Sequence, residues 1–326
     1  MAQLSGTTAT YDSIGLREDL EDVIWDLFPA DTWALSNLDK VDAIATFHEH
    51  QLDTLDAATT NKTVEGNDAS FATVSPPTRV GNYMQIATKY FLISGTLEAV
   101  KKAGRASEIA RQAMKKMREL KRDMEKALVG NQGSSAGADA TPRSCGGMEA
   151  WIPSTANSGN ALIATTTASG ASTAAFAANV VAAPVDGATT GALSITIFNQ
   201  ALGEAWTDGG DPRVVLVNTT QKTAIDAFTS IATRFVDIDR KAQAVIHGAA
   251  NVYVSDYGTH TVILHRYMRT SVVLCLDPDY WATAFLRRPK MEELAKTGDG
   301  EKRQIITEFT LISRNHNASA KVVACA

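Results

Sequence analysis

One stretch, Thr78–Gln132, constrains this 326-residue chain more than any other, because it joins a long alternating run to an unbroken helical one. The helical part follows Ser107, whose hydroxyl can accept from an otherwise unpaired N–H of the first turn. From there to Leu128 there is neither proline nor glycine, and Gly130 stands where a left-handed C-terminal cap is wanted. Ala110, Ala113, Met114, Met117, Leu120, Met124 and Leu128 recur at spacings of three and four and line one face. A helix over 107–128 is about 33 Å long. Its other face is charged, with Lys115–Glu119 and Lys121–Glu125 at i,i+4 spacing. Such a helix is either an ordinary amphipathic core helix or a rod along which a thin domain packs.

The preceding run, RVGNYMQIATKYFLIS, decides between these. It alternates over the whole of Thr78–Ile93, with mixed polarity on both faces. That is well beyond the usual strand of about five or six residues. It predicts an extended β-ribbon projecting from the body. Val41–Thr54 reads as its outgoing strand, and Leu55–Pro77, rich in Asn, Asp, Gly and Thr and closed by Pro76-Pro77, as its tip. A two-stranded ribbon is marginal in water, so this one should gain order by lying across a neighbour.

Three segments, RVGNYMQIATKYFLISGTLEAVKKAGRASE with LKRDMEKALVGNQ, CGGMEAWI at Cys145–Ile152, and LAKTGDGEKRQIITEFTLISRN at Leu294–Asn315, resemble the major capsid proteins of tailed bacteriophages with the Hong Kong 97-type fold. The resemblance keeps the family order over most of the chain and is weakest from Ala156 to Thr190. It implies an α+β shell subunit in four parts: an N-terminal arm (1–40), an E-loop β-ribbon (41–93), a peripheral domain (94–150 and 277–326) built on a spine helix, 107–128, and an axial domain (151–276). It implies self-assembly into pentamers and hexamers of an icosahedral head enclosing double-stranded DNA. The alternative within the fold is an encapsulin-like nanocompartment shell. The partners implied are further copies of the chain, a portal, scaffolding or decoration proteins, and packaged DNA held non-specifically. The expected location is the virion capsid, with assembly in the host cytoplasm. No enzymatic role and no cofactor is expected.

Composition agrees with this. Net charge is −5, without the global basicity of a nucleic-acid binder. Cys145, Cys275 and Cys325 lie far apart with no CxxC, and read as reduced thiols. The N-terminus has neither the basic region nor the apolar core of a signal peptide, and no run approaches a membrane span.

Charge is unevenly spread. Met1–Asp56 holds 12 acidic and 2 basic residues, net −10, whereas Ser94–Gly130 holds 10 basic and 5 acidic, net +5. Residues 16–28 form an amphipathic helix pattern, with Leu16, Leu20, Val23, Ile24, Leu27 and Phe28 on one face, and Glu18, Asp19, Glu21, Asp22 and Asp26 on the other. The acidic arm can meet the basic helix of its own or an adjacent subunit. The family's arm clamps a neighbour. Candidate intersubunit contacts are therefore Glu18, Asp19, Asp22 and Trp25 on the arm, Lys62, Glu65 and Arg79 on the ribbon, and Lys115, Arg118 and Arg122 on the spine helix. Some members of the wider fold cross-link a ribbon lysine covalently; Lys62 reads here as a solvated lysine.

No motif argues for catalysis. His48-Glu49-His50 places two imidazoles on one strand face without a third ligand, and His260 and His265 fall on opposite faces. Asp208, Asp211, Asp237, Asp239, Asp277 and Asp279 sit in turn contexts. Beyond the low-complexity stretch 154–190, a helix over Ser194–Thr207 is expected, with Phe198, Ala201, Leu202, Ala205 and Trp206 inward. A buried strand follows at Arg213–Asn218, then a helix capped by Thr220 and running through Arg234. Further strands are expected near Val252–Ser255, Thr261–His265, Val272–Leu276, Tyr280–Leu286, Arg303–Arg314 and Lys321–Ala324.

Overall fold

The computed structural model describes residues 32–326, except 54, 57, 69–70, 72, 75, 103, 153–160, 164–175, 178–179, 184–189 and 229–250. The chain opens with a short helix α1 (Trp33–Asn37), then strands β1 (Asp39–Asp42), β2 (Phe47–Leu52), β3 (Thr78–Tyr83) and β4 (Gln85–Ser94). Helices α2 (Gly95–Ala99), α3 (Glu108–Val129) and α4 (Met148–Trp151) follow, with short strands β5 (Ala161–Ile163), β6 (Phe176–Ala177) and β7 (Val180–Val181). The second half holds α5 (Ile195–Thr207), β8 (Val214–Val217), α6 (Thr219–Asp226), β9 (Val252–Ser255), β10 (Gly258–Leu264), β11 (Val273–Leu276), β12 (Trp281–Glu293), β13 (Gly300–Ser313) and β14 (Ala320–Val323).

α3 forms where the periodicity places it. Ser107 Oγ accepts from the Ala110 N–H at 3.3 Å. Only its C-terminal half is core: Leu120, Met124 and Leu128 are buried, whereas Met114 is 61% exposed. Gly130 does not adopt the expected left-handed cap. Its backbone is extended (φ −75°, ψ 177°), because the chain leaves the helix straight into the segment that carries Cys145 and α4. The expected surface pairs are also replaced. Lys116 pairs with Glu119 at 2.8 Å, and Glu125 is fully buried.

The long alternating run is not one ribbon strand. It divides at Met84. β3 pairs with β2 in the ribbon, while β4 pairs with β13 in a different sheet of order β1-β12-β13-β4. Met84 is buried with Ala282, Ala284 and Ile312, and its N–H is held by Thr46 O, which anchors the switch of sheets. Nor does the ribbon stand alone, since β3 also pairs with β7 in the order β2-β3-β7-β6.

The third sheet has order β5-β14-β11-β8-β10-β9. β8 and β11 are apolar on both faces. Val215, Val217, Val273 and Cys275 pack with α5, while Leu216, Leu274 and Leu276 join the core containing α3 and α4. β14 lies in this sheet, so the last strand leaves the sheet that flanks the spine helix, against the expectation that 277–326 stays together. Two local expectations also change. Trp206 is 58% exposed beside Tyr257, because the face of α5 is already filled by Phe198, Ala201, Leu202 and Ala205. α6 starts at Thr219 with Asn218 as its N-cap residue and ends at Asp226; residues 229–234 of the expected helix lie outside the described ones.

Candidate assembly surfaces

The ribbon is seated by a polar knot. Asn82, buried in β3, donates from Nδ2 to Gly146 O (3.0 Å) and Leu311 O (2.9 Å), and its Oδ1 accepts from Gly146 N–H (2.7 Å). One side chain thus ties the ribbon to the CGGMEAWI segment and to β13. Its full satisfaction offsets the cost of burying an amide. Beside it, Gln132 donates to Gln85 Oε1 and Cys145 O, both at 2.7 Å. His50, whose cross-strand partner is buried Val80, stacks on Trp151 with ring centroids 6.0 Å apart.

Beyond this base, no described residue covers the ribbon. Every described residue from 53 to 79 is exposed, including Leu55 (100%), Phe71 (95%) and Val74 (89%). Lys62 and Glu65 lie on this exposed tip, with Glu65 entering a turn at Gly66 (φ +80°). Apolar side chains this accessible at one extremity make the tip a candidate interaction surface. A second open surface is the β4 face turned away from α3, where Ile86, Tyr90 and Leu92 are exposed. Next to it, β12 bulges around Pro289 and shapes a cavity of ≈ 500 Å³ lined by Arg287, Arg288, Lys290, Glu292 and Ile306.

The root of the arm is pinned to the spine helix. Glu125 accepts from Ala34 N–H at 2.7 Å and from Leu35 N–H at 3.0 Å, capping α1, which has no side-chain cap of its own. The same carboxylate accepts from His265 Nε2 at 2.8 Å, while His265 Nδ1 accepts from Tyr267 N–H at 3.3 Å.

The expected contact residues are dispersed. Glu18, Asp19, Asp22 and Trp25 lie outside the described residues. Arg79 forms an ion pair with Glu49 across the ribbon, and Arg122 donates to Tyr267 Oη at 2.8 Å with its guanidinium 5.9 Å from that ring. These two serve the subunit's own fold. Lys115 and Arg118 are exposed on α3. Sequence reasoning missed Asn82, Glu125, His265 and Tyr267, since nothing local distinguishes a buried partner from a solvated one. A Glu on the helix side that leads back to the arm was the only available signal.

The described cysteines, aspartates and histidines singled out in the sequence have structural partners or are buried. Cys145, Cys275 and Cys325 are free and buried, and burial pushes each thiol up to about 12. Asp277 caps a turn, accepting from Asp211 N–H (3.0 Å) and Asp279 N–H (3.3 Å). His260 and His265 are held at separate places, by Ser255 and Glu125. Among the described residues, no group of three or more His, Cys, Asp or Glu could hold a metal ion, and no helix is long and apolar enough to cross a membrane.

Comparisons with known proteins agree over the full length. A family model described as SU10 major capsid protein matches residues 3–326. The major capsid protein of Escherichia phage Phieco32 is 26% identical, covering 97% of this chain and 96% of that protein. Among solved structures, the capsid of a native GTA particle is similar with a TM-score of 0.63 at 11% identity, covering 99% of this chain and 100% of that one. The capsid of cyanophage A-1(L) is similar with a TM-score of 0.62 at 13% identity, covering 99% of each chain. At these identities the structural likeness is one of fold.

Proposed function

The chain belongs to the SU10 major capsid protein family and has the Hong Kong 97-type shell fold, and from that premise we propose how its surfaces build the shell. Copies associate into pentamers and hexamers that close an icosahedral head around double-stranded DNA. The ribbon reaches a neighbouring subunit and buries Leu55, Phe71 and Val74 there. The observation that carries this is the exposure of every described residue from 53 to 79 beyond a firmly seated base.

The parts divide accordingly. The arm comprises residues 1–31 with α1 as its root. The ribbon is β2 and β3 with the tip between them. The peripheral domain is α2, α3 and the sheet β1-β12-β13-β4. The axial domain is the six-stranded sheet with α5 and α6, including β14. The arm, with Glu18, Asp19, Asp22 and Trp25, reaches a neighbour in the closed shell. Lys62 and Glu65 contact it at the tip, and Lys115 and Arg118 present charge on α3. Packaged DNA meets such charge without sequence preference. A portal and scaffolding or decoration proteins complete the set of partners, and assembly takes place in the host cytoplasm. A cargo-enclosing nanocompartment is not favoured, because the family and the curated relative are phage capsid proteins.

Electron microscopy and sedimentation of one purified sample test the reading. Closed shells or capsomer rings are expected. A chain that stays monomeric even with a scaffolding protein and a crowding agent would overturn it.

A further inference from the structure

Three of the chain's six histidines gather at the ribbon root. His48 and His50 alternate along β2, so both imidazoles lie on one side of the strand. His316 comes from the helical turn His316–Ala318 that follows β13. His48 and His316 each interact electrostatically with His50. The His50 ring in turn stacks on that of buried Trp151 in α4, with centroids 6.0 Å apart and planes at 22°. The ribbon, α4 and the end of β13 thus meet through imidazoles.

The surroundings suit neutral rings. Both ring nitrogens of His50 are buried, with the Ser313 backbone beside them. An imidazolium carries two N–H donors, and a buried donor without an acceptor is costly. The charges on the elements packed here are already matched. Glu49 pairs with Arg79 across β2 and β3, Glu149 of α4 with Arg269 at 3.3 Å, and Arg314 after β13 with Asp39 of β1 at 3.6 Å. Glu308, further along β13, is held by Arg287 at 3.1 Å, and Asp53, beyond the end of β2, is exposed. Lys321 of β14 donates to Glu149 O at 2.7 Å and adds positive charge behind α4. Burial first, and a neighbouring imidazole second, keeps His50 and His316 neutral. Both rings reach solvent once β2 and β3 lift from α4, without the six-stranded sheet opening. Freed rings take up protons near pH 6.5 and seated ones do not, so acid favours that local opening.

We propose that His50 and His316 form an acid-released latch, whose protonation unseats the ribbon base from Trp151 and α4 while the rest of the subunit stays folded. Its consequence for assembly rests on the ribbon's role proposed above; the unseating itself does not. The latch is closed above about pH 6.5 and loosens as the pH falls from there toward about 4.

The test is hydrogen exchange of the full-length chain, followed by mass spectrometry at about pH 8 and about pH 5.5 and normalised to the free-peptide rate at each pH. Amides of β3 and of residues 145–152 lose protection by at least about tenfold, the share due to His316 alone. At both pH values they stay less protected than those of buried β8 and β11, which open only with the whole fold. The H50Q/H316Q variant loses most of the pH dependence. H316Q alone loses part of it, and decides the point if the double variant does not fold. Parent protection at the ribbon base that changes by less than about twofold overturns the proposal. So does a loss of protection that persists undiminished in the variants. Equal protection of the ribbon base and the six-stranded sheet at each pH also overturns it, since acid would then act through global unfolding. Shell formation by the same samples at about pH 8, seen by microscopy, reports on the assembly reading independently.

Discussion

Glu125 and His265 lie 140 positions apart and meet in the interior, Oε1 to Nε2 at 2.8 Å. Through that contact the spine helix holds both the root of the arm and the loop that follows β10. Replacing Glu125 with alanine leaves two α1 N–H groups and one imidazole N–H without their acceptor. Loss of a buried charged acceptor of this kind costs about 3–5 kcal/mol. Glu125→Gln keeps an acceptor oxygen and should cost clearly less. Urea denaturation of both variants measures the difference, and limited proteolysis near residues 32–38 should accelerate most in Glu125→Ala.

Asn82 offers a sharper comparison. It needs both a donor and an acceptor, because it faces two carbonyls and one N–H. Asn82→Ala should lose about 2–3 kcal/mol. Asn82→Asp, though nearly isosteric, turns a carboxylate toward Gly146 O and Leu311 O and should be the worse of the two at pH 7. An aspartate as stable as the asparagine would show that the knot does not hold the ribbon base.

Histidine burial sets an acid limit. Burial, with a smaller contribution from His50, lowers His316 to about 4, and burial likewise lowers His50. Both stay neutral in the folded state, whereas the unfolded chain takes up protons near pH 6.5. Stability is therefore full above about pH 6.5, falls as pH drops below it, and levels off under about pH 4. The His316 share is at most about 3 kcal/mol. Urea midpoints between pH 8 and pH 5 should decline, and His316→Gln should flatten that decline.

Gly147 is required for space. A Cβ there would lie 2.0 Å from Gly130 O, where α4 begins against the end of α3. Gly298, in the β12–β13 turn, has nothing within 4 Å of such a Cβ. Gly147→Ala should be poorly soluble or destabilised by several kcal/mol, and Gly298→Ala should melt within about a degree or two of the parent.

The ribbon tip separates folding from assembly. Leu55→Ser, Phe71→Ser and Val74→Ser together remove apolar groups that contact solvent in the subunit. Monomer stability should change by less than about 0.5 kcal/mol. Shell yield by microscopy should collapse. Normal shells from the triple variant would place the docking surface elsewhere.

Legibility varied with the range of the interaction. Helices α3 and α5 could be read from residue spacing, and α3 also from Ser107, whose hydroxyl caps as expected; the cap that Ser194 supplies to α5 is a finding of the structure. The strands β8 to β11 could be read from apolar runs between turn residues. The run Thr78–Ser94 was legible as extended chain but not as two strands. Lys115 and Arg118 are exposed on α3, and Arg79 and Arg122 have partners in their own subunit, which no local spacing announces.

Period and capping chemistry act between residues a few positions apart, so the chain's own order suffices to specify which segments are helical and which extended. Partner choice does not follow from period. An alternating strand offers the same backbone groups to any neighbour, and only burial of Met84 against Ala282, Ala284 and Ile312 turns β4 from the ribbon into the sheet with β13. Likewise a glutamate in a charged helix reads as solvated until α1 and His265 close over Glu125 and its carboxylate becomes their common acceptor.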